Sequence, residues 1–216
     1  MSLHISEVKK ELANALTHGL GFLALLVGVP VLMSMAVATF KWSLVWSCGV
    51  FGFSAMLVYI SSTLYHAFPH PLIKRVLQTF DHVAIYFLIA GSYTPFIMFY
   101  FNDFGGRLLL IIAWSITILG TFFKIFFIGK YDFLSTIAYL ALGWMIVFVG
   151  KRLLTGVPPA VLVWLIIGGL SYTVGIIFYL WKKYKYHHAI WHLFVMFGTT
   201  SHFIAIVKGL YIELHP

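Results

Sequence analysis

The chain has 216 residues, of which 62% are apolar, 19% aromatic and 9% formally charged. A soluble domain is about 45–50% apolar and about 25% charged, so this much apolar surface does not fit one soluble core, and disorder is excluded for the same reason. Fourteen Lys and Arg against six Asp and Glu give a net charge of +8. The basic residues lie singly or in short clusters between apolar runs, which suits loops against anionic headgroups and argues against nucleic acid as a partner. A lone cysteine, Cys48, rules out a disulfide framework and a Cys-based zinc knuckle.

In chain order, the stretch before the first apolar run is polar and mixed in charge, and it does not read as a cleavable signal. Ile5, Val8, Leu12 and Leu16 recur at helical spacing, with Glu7, Lys9, Lys10 and Glu11 elsewhere around the wheel. That pattern predicts a short helix at about residues 3–14, lying at the membrane interface. Seven runs are then long and apolar enough to span a bilayer: Leu16 to Phe40, Trp42 to Tyr65, Val83 to Phe101, Leu108 to Ile128, Phe133 to Gly150, Val161 to Trp181 and Ala189 to Leu210. Connections are short, so the prediction is an all-α polytopic membrane protein, one bundle of seven helices in a single domain over residues 1–216. Nine of the Lys and Arg fall on the side of the N-terminus and five on the other. The positive-inside rule then places the N-terminus in the cytoplasm and the C-terminus outside.

Ionisable side chains within such a bundle are costly, so they point to function. His66 ends the second span, Asp81 and His82 open the third, and His188 and His192 open the seventh. All five therefore meet in one layer near the cytoplasmic face. His188 and His192, one turn apart, project from one face about 6 Å apart along the axis, which lets both bind one metal. His66 is a third imidazole at that depth, and Ser62 shares its face one turn earlier. Three histidines with an open fourth position is the pattern of a catalytic zinc site, and the lack of thiolates argues against soft-metal chemistry. Asp81 is expected as a general base beside the metal, or as a ligand, or as a cap of the third span. His82, pointing about 100° from Asp81, and the pair Asn14 and His18 are candidates to back the ligands, although packing or capping suits Asn14 and His18 better. His202 lies about 15 Å deeper than His192 and is expected to make an interhelical hydrogen bond. Pro95 predicts a kink with Thr94 serving the freed carbonyl, and Gly168, Gly169 and Gly175 read as close-packing positions.

The ordered set of Glu11-Leu12-Ala13-Asn14-Ala15-Leu16-Thr17-His18-Gly19, Ser62-x-x-x-His66, Asp81-His82, Ala90-Gly91-Ser92-Tyr93-Thr94-Pro95 and His188-x-x-x-His192 resembles the hemolysin III group of bacterial membrane proteins. That group is related to the progestin and adipoQ receptors and, more distantly, to the alkaline ceramidases. The resemblance covers nearly the whole chain. It implies that His66, His188 and His192 bind zinc, that Asp81 and Ser62 line the site, and that the protein resides in the bacterial inner membrane. It also implies a membrane lipid as substrate or ligand. The first functional expectation is a zinc-dependent hydrolase of a lipid amide. The alternative is a non-enzymatic sensor or homeostasis protein with a structural zinc. A proton-coupled transporter would need polar residues continuing across the bilayer, and a secreted cytolysin would need a soluble chain; both are disfavoured. The oligomeric state is not legible.

Overall fold

The computed structural model describes residues 2–216, with side chains from Ile5 onward. The described residues form helices and no strand: α1 (Ser2–Ala38), α2 (Trp42–Ala67), α3 (Pro71–Tyr100), α4 (Phe104–Phe127), α5 (Asp132–Trp144), a 3₁₀ segment (Met145–Val149), α6 (Gly150–Gly156), α7 (Pro159–Leu180) and α8 (His187–Leu214). Seven helical spans are long and apolar enough to cross a membrane, with α5, the 3₁₀ segment and α6 together making the fifth.

Two helices are longer than their apolar runs. Residues 3–14 are not a separate helix but the first turns of α1. The stripe Ile5, Val8, Leu12 and Leu16 faces outward, and Leu20, Leu23, Val27 and Val31 extend it. Lipid is the apolar solvent for this surface, so the polar face carrying Asn14 and His18 turns into the bundle. Helix α3 begins at Pro71, a residue suited to the first helical turn. Lys74, Arg75, Gln78 and Asp81 are therefore helical, and Asp81, well past the first turn, is not a cap. The backbone stays helical through Pro95. Thr94 Oγ1 donates to Ala90 O at 2.9 Å, not to the Gly91 carbonyl that Pro95 leaves without an amide.

The fifth span breaks because another helix serves its backbone. Tyr93 Oη donates toward the Leu142 and Gly143 carbonyls (2.9 and 2.8 Å) and accepts from Ile146 N–H at 3.0 Å. Buried backbone freed from a helix needs such partners. At Gly150, φ is +39°, where a side chain would strain the chain.

In packing order, α2 lies between α1 and α3, α4 rests on α3, and α7 runs along α8, which closes on α1. The main apolar core surrounds Phe51, Tyr86, Ile97, Ala113, Ile206 and Leu210. A second core, around Leu25, Val58, Leu88 and Val195, lies next to the histidine layer. At the opposite end, ion pairs tie loops to helices, Lys41 to Glu213 of α8 and Asp103 to Arg152 of α6. Asp103 also caps α4; the Gly106 amide and the Arg152 guanidinium hold its carboxyl below the usual carboxylate range.

Candidate metal centre

Helices α2 and α8 bring His66, His188 and His192 together. One ring nitrogen from each lies within 4.8 Å of the others. Ring centroids are 5.0 Å apart for His66 and His188, 5.3 Å for His66 and His192, and 4.6 Å for His188 and His192. His66 and His192 are buried and His188 is partly buried.

The other ring nitrogens explain how the imidazoles are aimed. His66 Nδ1–H donates to Glu11 Oε2 at 2.6 Å, and Glu11 Oε1 accepts from Lys74 Nζ at 2.9 Å. The Asn14 amide lies 3.4 Å from the same Nδ1, so the shorter carboxylate contact decides the proton's place. His192 Nδ1–H faces Thr17 Oγ1 at 3.0 Å and Asn14 O at 3.2 Å. Thr17 gives its own hydroxyl proton to the Ala13 or Asn14 carbonyl, so it accepts from the ring. With protons on Nδ1, the Nε2 lone pairs of His66 and His192 are free to ligate. The Nε2 atoms of His66, His188 and His192 are all buried and without a hydrogen-bond partner. A buried orphan costs about 1–3 kcal/mol. Three side by side, with a carboxylate and a carbonyl fixing the tautomers behind two of them, is how metal-binding histidines are held. The residues fit a nitrogen-preferring divalent cation such as zinc.

The remaining predicted residues divide into two groups. Ser62 is fully buried, with its hydroxyl beside the Asp81 carboxyl. Asp81 is buried beside Ser62 and His66. His18 stacks on His192 with centroids 3.7 Å apart and planes 13° apart, and neither of its nitrogens has a partner. His18 thus packs against His192, and Asn14 approaches both ligand rings, His66 through its side-chain amide and His192 through its backbone carbonyl. His82 belongs elsewhere. Its Nδ1 lies 3.9 Å from Asp132 Oδ1, which also accepts from the fully buried Lys124 Nζ at 3.0 Å, and Tyr139 Oη donates to the His82 carbonyl. It does not back the three histidines. His202 meets the Leu165 backbone of α7 through its other ring nitrogen, the interhelical contact expected of it, while Nδ1 is without a partner; a Cβ on Gly168 would meet its Cδ2 at 2.3 Å. Gly175 is likewise filled by Phe194 and Trp191, whereas Gly169 has open space before it and lines a cavity.

That cavity, about 290 Å³, is overwhelmingly apolar and runs from Asp81 and His18 to Phe101 and Leu153. Val58, Leu88, Tyr179 and Trp191 surround its inner end. None of the three clustered histidines is on its wall; Asp81 stands between the cavity and the cluster.

Sequence reasoning missed Glu11 and Thr17. Glu11, Asn14 and His18 recur at i, i+3 and i+7, a polar stripe on an otherwise apolar helix. That spacing was the signal for Glu11, and for Thr17 only its place in the segment that carries the family resemblance.

Comparison with known proteins places the chain in a family. The family described as "Haemolysin-III related" matches residues 6–203. The chain is 41% identical over 203 residues to "Hemolysin-3 homolog" of Bacillus subtilis (strain 168), covering 93% of this chain and 94% of that one. It is 40% identical to "Hemolysin-3" of Bacillus cereus, covering 93% and 91%. It is 28% identical to the human "Monocyte to macrophage differentiation factor", covering 92% and 84%. The chain is an integral membrane protein of bacterial type and belongs to the haemolysin III–related family.

Proposed function

We propose that this protein, acting as a single seven-span domain, is a zinc-dependent hydrolase of a lipid amide in the cytoplasmic leaflet of the bacterial inner membrane. The excess of Lys and Arg at the N-terminal end supports that orientation. His66, His188 and His192 would hold the metal. When bound, zinc supplies Lewis-acid polarisation of a carbonyl and a lowered pKa for water. Asp81 carries the reading, because it is the carboxylate that both borders the apolar cavity and neighbours His66. Its carboxylate takes a proton from the attacking water and returns it to the leaving amine, so that amide and water give acid and amine. Ser62, whose hydroxyl neighbours the Asp81 carboxyl, would donate to the oxygen that gains charge. The cavity takes the acyl chain, and His18, stacked on His192, keeps bulk water from that side.

One observation favours a second reading, a structural zinc in a protein that senses or adjusts the membrane: the three histidines lie off the cavity wall. The experiment is fatty-acid release from ceramide and related amide lipids by purified, zinc-loaded protein in lipid nanodiscs. The proposal expects release, reduced at least about hundredfold by Asp81→Asn with zinc retained. Full zinc occupancy with no release from any amide lipid favours the structural reading.

A further inference from the structure

The middle of the cavity, between Asp81 and Phe101, carries polar atoms that the proposed chemistry does not use. We infer that this stretch is a subsite for a hydroxyl group borne partway along a hydrocarbon chain, with His202 and Ser92 as its hydrogen-bonding partners. The inference rests on the cavity holding an acyl chain.

His202 lies on α8 beyond His192, and Ser92 on α3 beyond Asp81; at 1.5 Å per residue each is about 15 Å from the histidine layer. Both side chains line the cavity. His202 Nδ1 and Ser92 Oγ are buried and without partners, and Ser92 is only 7% exposed. The imidazole is fixed in place. It meets Phe96 and Tyr172 edge-on, with centroids 6.0 and 5.4 Å away, and its opposite edge lies against Gly168. Tyr172 Oη is not an alternative partner, because it is hydrogen-bonded to Thr199 Oγ1 at 2.9 Å. The wall around these two atoms is apolar, with Phe96, Phe101, Leu162 and Leu165.

The chemistry of the pair selects the group. With the Nε2 side of the ring at the Leu165 carbonyl, Nδ1 is an acceptor, and a hydroxyl donates to it while accepting from Ser92. A ketone offers Nδ1 no proton. A carboxylate or ammonium would have to leave water for an apolar wall without a counter-ion. An unsubstituted chain leaves both polar atoms orphaned, and that cost is the source of discrimination.

The test uses the full chain in nanodiscs and reads binding rather than turnover. Native mass spectrometry compares stearic acid with a stearic acid hydroxylated near mid-chain. The hydroxylated acid is expected to bind about tenfold more tightly. His202→Phe, which keeps a ring against Gly168, removes that advantage and leaves stearic acid within about twofold of the wild type. Ser92→Ala, a small change that fills no space, reduces the advantage severalfold. Equal binding of the two acids by the wild type, or an advantage that survives both variants, overturns the inference. Because no hydrolysis is measured, a protein without amidase activity can still pass, and an active one can still fail.

Discussion

Two buried polar clusters lie toward the same end of this bundle, and they are finished to different degrees. In the first, Lys124, Asp132 and His82 join α4, α5 and α3, and Lys124 Nζ has its carboxylate partner at 3.0 Å. In the second, Glu11, Asn14 and Thr17 satisfy the outer nitrogens of His66 and His192, while the three inner nitrogens are buried without a protein partner. The lysine cluster is complete as protein. The histidine cluster leaves three ring nitrogens without a protein partner. Burial of polar residues alone does not distinguish structure from function here; hydrogen-bond satisfaction does.

The largest effect expected is on metal. His66→Ala should take zinc from about one ion per chain to near zero, measured by elemental analysis after purification. Chelating zinc from the wild type should lower stability by about 4 kcal/mol if free metal had stood a thousandfold above its dissociation constant. An unchanged melting profile on chelation would break the contrast between the clusters.

Next in size is Asp132→Asn, which leaves the Lys124 ammonium buried and unpaired. A loss of about 3 kcal/mol is expected in a denaturation assay, with zinc content unaffected. If zinc fell instead, the two clusters would be one system. Glu11→Gln removes the carboxylate behind His66 and should weaken zinc binding by about 10- to 100-fold in a competition titration. No change there would mean that the imidazole is held by packing alone. The smallest effect belongs to Lys124→Met. It buries an apolar chain and leaves Asp132, whose side chain is 41% exposed, to water, so a change within about 1 kcal/mol is expected. A large loss would show that Lys124 does more than answer Asp132.

The seven spans and the histidine trio were legible because each rests on a strong regularity: apolar length in one case, topology that returns His66 and His188 to one layer in the other. Asp81 and Ser62 followed from the same depth argument. The misses have a common cause. Depth says which residues share a layer, not which face of a helix meets which neighbour. His82 is adjacent to Asp81 in sequence, yet the rotation of one residue turns it toward α5 and Asp132. The apolar stripe of α1 reads from sequence as the buried face of an interfacial helix; with lipid outside, that stripe is the exposed face and the polar one, with Glu11, turns inward. The break in the fifth span has no local cause in its own run, since its carbonyls are served by Tyr93 of a distant helix. His202 packs where Gly168 makes room, a fit that only the pairing of α7 with α8 reveals.

The central claim is that His66, His188 and His192 share one zinc ion. Crystallographic anomalous scattering on either side of the zinc absorption edge tests it most directly. The account predicts a single peak among the three Nε2 atoms, with ligand distances of about 2.0–2.1 Å. A map from zinc-replete protein with no peak there, or with the metal held by other side chains, would contradict it.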